Sequence, residues 1–437
     1  MNKKNLNLLW FIMGLGSRMQ VWFSLSIAEI IVLLMFPYCI AKAYPRLKRN
    51  GIMFFFWLSI ALFISCTISS LYNQSDFQQT LRGLSVCGLI VAAIPVSFWM
   101  LSTDFKGVRW MFVGEAIAIW ISTFVFQSAV EQNMYGTAED IMSGPLFWIS
   151  RLSATLTVPS RGWYLSVPHA YSWGVALFLA VFSMMTSVSG RSSAIAALGV
   201  AVICFLGGKT RNSIKKFSRK FWLYFVLAML GAFILNKTYA FLALNGYLSE
   251  KAQQKYELQT RGNKGIMALL IGGRADSFVG LLACVERPFI GFGPWAMDDG
   301  AYYERFLSEY GNADDYEEYV KKIAHDQRMG KVMRLIPQHS HITMFWLWYG
   351  AVGLFFMLYY GFVVVRFVKD DCHVAPRWFF WLAAGTVGIM WNLFFSPFEA
   401  RIGLSRYIVA VLMIRAIRLG KSDLPYHIQE QICGESK

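Results

Sequence analysis

The chain of 437 residues is 56% hydrophobic and only 15% charged, whereas soluble globular proteins carry about 25% charged residues. A soluble fold could not hide this much apolar surface, so lipid is expected to be the solvent for most of the chain. The formal net charge of +15 does not indicate a nucleic-acid-binding protein, because the basic residues are not gathered on one soluble segment.

The basic residues follow the distribution typical of a membrane protein. Segment 245–340 is near neutral, with 12 Lys and Arg against 13 Asp and Glu, which leaves 29 basic and 13 acidic residues for the rest of the chain. This surplus clusters between apolar runs, at 45–50, 209–220, 366–369 and 415–421. Because cytoplasmic loops carry an excess of Lys and Arg, we expect these clusters inside the cell and segment 245–340 outside it.

Apolar runs of about 20 residues, the length that crosses a bilayer, recur along the whole chain. The clear candidates are 21–43, 52–71, 83–101, 108–128, 170–188, 193–206, 221–242, 341–365, 378–395 and 404–417. Two weaker runs, 7–16 and 141–158, are needed if residues 1–4 and all the basic clusters are cytoplasmic, and accepting both also places both termini in the cytoplasm. The predicted fold class is therefore all-α, a polytopic integral membrane protein with about twelve transmembrane helices and one large helical outer loop domain. Its predicted parts are an N-terminal transmembrane bundle (1–244), the loop domain (245–340) and C-terminal transmembrane helices with a cytoplasmic tail (341–437).

The outer loop is rich in apolar and aromatic residues, unlike a disordered segment. Apolar runs at 266–271 and 278–285 are followed by Pro288, which cannot continue a helix. Segment 302–333 spaces its aromatic residues at helical intervals with acids between them. We expect a small helical domain against the outer end of the bundle.

No cofactor is predicted. The sequence has no phosphate-binding glycine loop or dinucleotide fingerprint, and its seven cysteines show neither a metal-binding spacing nor a disulfide framework. An enzyme acting outside the membrane would draw on an activated lipid donor already in the bilayer. Cations near the outer interface are therefore the first candidates for a site.

Two arginines are candidates for binding a phosphate group, since the guanidinium offers a planar fork of donors. Arg191 lies at a reversal between two predicted spans, and an alternative is that it reaches the lipid headgroups. Arg274 precedes or opens a helix, and an alternative is an ion pair with Asp276 or another nearby acid. Arg261 is a weaker candidate for the same role.

The segment before the run at 341–365 contains two histidines, His339 and His341, preceded by Gln338. Histidine accepts a proton near neutral pH, so either side chain is a candidate general base. The residues alone do not choose between them.

These segments resemble the superfamily of O-antigen ligases, O-antigen polymerases and bacterial O-oligosaccharyltransferases. His339 is followed by Ser340, nine residues, Gly350, two residues and Gly353, which is similar to the ligase signature. A Ser-Gly-Arg reversal at 189–191 is similar to a second family element. An arginine followed by Pro-x-x-Gly-x-Gly, here Arg274 and then 288–293, is similar to a third. The resemblance covers roughly 187–353, and it selects His339 over His341.

The resemblance implies an O-antigen ligase of the bacterial inner membrane with its active site facing the periplasm. Such an enzyme transfers O-polysaccharide from undecaprenyl pyrophosphate to a sugar hydroxyl of lipid A–core. On this hypothesis Arg191 and Arg274 bind the pyrophosphate, and His339 removes the acceptor proton in a single inverting displacement. Arg261, Gln338 and His341 are supporting candidates. Two arginines would take the place of a divalent metal, so the reaction is predicted to be metal-independent.

Three other functions are weighed against the ligase. An O-antigen polymerase uses the same donor but usually divides its outer mass between two large loops. A protein O-oligosaccharyltransferase commonly has more outer sequence after the last conserved span. A lipid-linked sugar transporter would need polar groups within its spans, whereas the predicted spans have few, with Glu115 as the single acidic residue in the run at 108–128.

Overall fold

The computed structural model describes residues 3–17, 19–22, 25–103, 107–124, 275–298, 301–310, 335–337, 340–368 and 379–395, with a few isolated helical positions elsewhere. This part of the chain is mainly helical. Its helices are α1 (Lys3–Gly16), α2 (Ile27–Arg49), α3 (Met53–Tyr72), α4 (Phe77–Thr103), α5 (Val108–Phe124), α6 (Ala275–Glu286), α7 (Tyr302–Tyr310), α8 (His341–Arg366) and α9 (Phe379–Phe395). The two short strands β1 (Gln20–Trp22) and β2 (Leu25–Ser26) form an antiparallel pair between α1 and α2.

Four described helices, α2, α3, α4 and α8, are long and apolar enough to cross a bilayer. Their length and composition indicate a membrane protein, as predicted. The predicted runs at 141–158, 170–188, 193–206, 221–242 and 404–417 lie outside the described residues, apart from isolated positions.

The first strong apolar run begins differently from the prediction. Segment 21–43 was expected to be one span, but it starts in the β1–β2 pair and becomes helical only at Ile27. The start of α2 is fixed by a capping box, in which the Ser26 hydroxyl accepts from the Glu29 N–H at 3.3 Å and the Glu29 carboxylate accepts from the Ser26 N–H at 2.7 Å. The helix then continues through Pro45 to Arg49, so it includes most of the basic cluster at 45–50.

The helices pack into a bundle in which α3 contacts both α4 and α8, α1 contacts α5, and α9 contacts α8. Gly14 of α1 lies against the α5 backbone at Met111 and Glu115. The α3–α8 contact is aromatic at one end, where the rings of Phe55 and Phe356 stack with centroids 5.5 Å apart. Its other end is polar, and the candidate site lies there.

Candidate functional site

Helix α8 is broken at Gly350. This residue has φ 62° and ψ −150°, a conformation essentially restricted to glycine. The rings of Phe345 and Phe356 lie on opposite sides of the break and stack with centroids 6.0 Å apart, although eleven residues of a continuous helix rise about 16 Å. The two arms of α8 therefore fold back on each other. The predicted span 341–365 is correct in its bounds to within a residue, but it is not one continuous helix.

The loop 287–293 contacts the break through its backbone. The N–H of Ala351 donates to the carbonyl of Phe289 at 3.1 Å, and the N–H of Phe292 donates to the carbonyl of Leu347 at 2.7 Å. A break in an apolar helix leaves backbone groups without intrahelical partners, which is costly away from water. The loop supplies these partners.

Serine side chains of α3 bond two further carbonyls at the end of the first arm. The Ser69 hydroxyl donates to the carbonyl of Trp348 at 2.9 Å, and the Ser65 hydroxyl donates to that of Tyr349 at 2.8 Å. Ser65, Ser69 and Asn73 are four residues apart, so they form one polar stripe along the helix. This stripe faces the break.

Two glycines allow the loop and the break to approach this closely. A Cβ on Gly291 would lie 2.7 Å from the Gly350 nitrogen and 2.6 Å from the carbonyl oxygen of Leu347. A Cβ on Gly350 would lie 2.7 Å from the carbonyl carbon of Ile290 and would overlap the carbonyl of Phe289. The Pro-x-x-Gly-x-Gly segment and the first glycine after His339 in the ligase-like signature are therefore in direct contact.

Asn73, which directly follows α3, connects the C-terminal end of that helix to the same loop. Its side-chain amide donates to the carbonyl of Ser69 at 2.7 Å and to that of Gly291 at 3.0 Å. Its carbonyl oxygen accepts from the Arg287 guanidinium. A second side-chain contact holds the loop to α8, since the Trp346 indole donates to the carbonyl of Pro288 at 2.9 Å.

The segment that leads into α8 is attached at both ends. Leu335 forms a backbone bridge with Met297, and the Ile336 N–H donates to the carbonyl of Ala296 at 3.0 Å. Ser340 caps α8, and its hydroxyl donates to the carbonyl of Leu393 in α9 at 2.7 Å. Ile336, before Gln338, and Ser340, after His339, are therefore bonded to Ala296 and to α9, respectively.

A charged cluster joins α6 to α7. The Glu286 carboxylate accepts from the Tyr302 hydroxyl at 2.5 Å and from the Arg305 guanidinium at 2.8 Å. Hydrogen bonds from Tyr302 and Arg305 hold the pKa of Glu286 below its usual value. Burial and the Glu286 carboxylate raise the pKa of Tyr302.

Of the predicted site residues, the described part of the chain includes His341. This histidine is the first residue of α8 and is buried, with 6% of its surface exposed. Arg191, Arg261, Arg274, Gln338 and His339 lie outside the described residues. Helix α6 begins at Ala275 and ends at Glu286 before Pro288, as the sequence predicts.

The sequence reading missed the polar stripe of α3 and Arg287. The signal for the stripe was present, because Ser65, Ser69 and Asn73 recur every fourth residue in or next to an apolar run. Polar side chains on one face of an apolar helix are expected to bond a neighbouring element. Arg287 has no such spacing signal, and its role depends on contacts with the distant Asn73.

Within the described residues, no group of three or more His, Cys, Asp and Glu side chains could hold a metal ion. Comparisons with protein-family models, with curated proteins and with solved structures found no match. The proposal for function therefore depends on the motifs and on the contacts between them.

Proposed function

We propose that this protein is a glycosyltransferase of the O-antigen ligase type. It would transfer O-polysaccharide from undecaprenyl pyrophosphate to a sugar hydroxyl of lipid A–core, on the periplasmic face of the bacterial inner membrane. The observation that supports this best is the contact between Gly291 and Gly350. Segment 288–293 and the signature that begins at His339 were each selected for their likeness to one superfamily, and the structure brings their glycines into contact.

The contact between Gly291 and Gly350 joins the segment that follows Arg274 to the helix that follows His339. Arg274 immediately precedes α6, which leads into the loop 287–293, and His339 immediately precedes the capped start of α8. The loop and α8 are held together by backbone hydrogen bonds and by the hydrogen bond of the Trp346 indole to Pro288. Catalytic groups on rigid elements keep the geometry that a displacement reaction needs.

In the proposed reaction, His339 accepts the proton of the acceptor hydroxyl as its oxygen attacks the anomeric carbon. The bond from that carbon to the pyrophosphate oxygen breaks, and Arg191 and Arg274 stabilise the negative charge on the leaving group. One displacement inverts the anomeric carbon. A pyrophosphate leaves without protonation by an acid, so no pair of carboxylates is required.

The test is deletion of the gene in its native host, followed by examination of lipopolysaccharide on a silver-stained gel. Complementation would use the wild type, His339→Ala, Arg191→Ala and Arg274→Ala, with His169→Ala and Arg49→Ala as controls on the predicted cytoplasmic side and immunoblots for protein level. Loss of long-chain lipopolysaccharide with accumulation of lipid-linked polymer, rescued by the wild type and the controls only, supports the ligase. Single repeat units left on the core would identify a polymerase instead.

Two results would contradict the proposed chemistry even if the deletion behaves as a ligase mutant. Activity in the His339→Ala variant would show that His339 is not the general base. Loss of in vitro transfer on addition of a chelator would show that a metal ion does the work assigned to the arginines.

A further inference from the structure

Arg287 has an orientation fixed by uncharged groups. Its guanidinium donates to the side-chain oxygen of Asn73 and lies over the ring of Phe292, 4.7 Å from the ring centroid. The side chain is nevertheless exposed. Among the described residues, Asn73 alone accepts a hydrogen bond from this guanidinium.

The carboxylate next to Arg287 in the sequence is engaged elsewhere. Both oxygens of Glu286 are bonded, one by Arg305 and the other by Tyr302. Glu286 forms its ion pair with Arg305 of α7, and its attraction to Arg287 is weaker than these hydrogen bonds. Arg287 therefore presents a positive charge to solvent. Its guanidinium has five N–H donors, of which the hydrogen bond to Asn73 uses one.

The position of Arg287 relative to the bilayer follows from Asn73. This residue directly follows α3, whose other end adjoins the basic cluster at 45–50 that is predicted to be cytoplasmic. Asn73 and Arg287 thus lie at the predicted outer end of the bundle. Lipid phosphate groups lie at this level of a membrane.

We propose that Arg287 binds a phosphate group of an anionic glycolipid at the outer end of α3, with Asn73 as the residue that positions it. The identity of that lipid rests on the proposed function and is the donor or the acceptor. Arg274 and Arg287 lie just before and just after α6, whose 12 residues rise about 18 Å. Arg287 therefore adds a second cation, at the other end of α6 from the one proposed at Arg274.

The experiment measures binding without turnover. The purified full-length protein, in phosphatidylcholine nanodiscs, is titrated with undecaprenyl pyrophosphate and separately with rough lipopolysaccharide that lacks O-polysaccharide. Rough lipopolysaccharide treated with phosphatase is the third ligand. The variants are Arg287→Gln, which retains a donor for Asn73 without the charge, Arg287→Lys, Asn73→Ala and the control Arg49→Gln, an exposed arginine at the predicted cytoplasmic end of α2.

Arg287→Gln is expected to weaken the binding of one lipid by about tenfold, the loss expected for one charge-assisted hydrogen bond. Asn73→Ala is expected to weaken the same lipid's binding although the charge remains, and Arg49→Gln is expected to leave it unchanged. An effect on undecaprenyl pyrophosphate assigns Arg287 to the donor. An effect on untreated but not on phosphatase-treated lipopolysaccharide assigns it to the acceptor.

Wild-type affinity for both lipids in Arg287→Gln and Arg287→Lys would overturn the proposal, as would failure of the wild type to bind either lipid. Thermal unfolding of each variant in detergent shows whether it is folded, and Asn73→Ala and Arg287→Lys provide the test if Arg287→Gln is not. Because no transfer is measured, the result is separate from the gel assay. If Arg287→Gln weakens lipid binding tenfold but the gel assay shows no ligase activity, the phosphate site is supported and the proposed function is contradicted.

Discussion

Ala351 donates its backbone N–H to the carbonyl of Phe289, at 3.1 Å, and not to a residue of its own helix. An uninterrupted α8 would place the Leu347 carbonyl in this role. That carbonyl instead accepts from Phe292. The loop 287–293 thus exchanges hydrogen bonds with the two arms of α8, and the break is a fixed part of the fold.

Gly350→Ala is expected to destabilise the protein by roughly 3 kcal/mol, the upper end of the cost of strained backbone. The added Cβ would also overlap the carbonyl of Phe289. The check is the apparent melting temperature in detergent, with the yield of monodisperse protein as a second reading. Gly388→Ala in α9 is the matched control, because a Cβ there meets nothing within 4 Å. Equal melting temperatures for the two variants would show that α8 tolerates a side chain at the break.

Ser65→Ala is expected to cost about 1–2 kcal/mol, because the carbonyl of Tyr349 would lose the hydroxyl that bonds it at 2.8 Å. Ser85→Ala is the control, since the exposed Ser85 hydroxyl bonds the carbonyl of Arg82 in its own helix. Thermal unfolding of both variants in the same detergent compares them. A loss in Ser85→Ala as large as that in Ser65→Ala would contradict the role given to the polar stripe.

The contact between α6 and α7 is expected to weaken in acid. Because the folded-state pKa of Glu286 lies below its usual value of 4.5, its contribution to stability is present above pH 4.5 and is lost as the pH falls through the lower, folded value. Hydrogen exchange of the α7 amides, measured from pH 6 down to pH 3.5 and corrected for intrinsic rates, follows this loss. In Glu286→Gln the protection should be lower at pH 6 and should change less over this range. An identical pH profile in the variant would show that another group causes the transition.

Cys284 is expected to resist alkylation in the folded protein. Burial raises the pKa of its thiol from 9.0 to about 12, which lowers the thiolate fraction at pH 8 by about a thousandfold. Mass spectrometry after treatment with N-ethylmaleimide should find Cys284 unmodified in mild detergent and modified in sodium dodecyl sulfate. Fast modification in mild detergent would show that α6 separates from α8, where the Cys284 thiol donates to the carbonyl of Thr343 at 3.4 Å.

The bounds of α3, α4, α5 and α9 could be predicted to within several residues, because apolar runs of bilayer length have one stable form in lipid. The start of α2 was predictable too, since Ser26 and Glu29 have the spacing of a capping box. That local signal was overlooked in favour of the hydrophobicity of Val21 and Trp22.

The break in α8 was not predictable from the local sequence. Gly350 lies in an apolar run, and glycine is frequent in membrane helices that remain continuous. Its conformation depends on Phe289 and on the serines of α3, which are distant in the sequence. The resemblance identified the glycines of both motifs. That these glycines touch each other could be seen only in the folded structure. The predictions for His339, Arg191 and Arg274 remain predictions.

The folded-back form of α8 also has a consequence for how the chain is made. Synthesis proceeds from the N-terminus, so α3 and the loop 287–293 leave the ribosome before α8 does. A 26-residue apolar segment is able to insert into a bilayer as one long tilted helix. The groups that bend it are already present when it arrives. The residues whose hydrogen bonds hold the break at Gly350 therefore precede α8 in the chain and are available as soon as α8 is made.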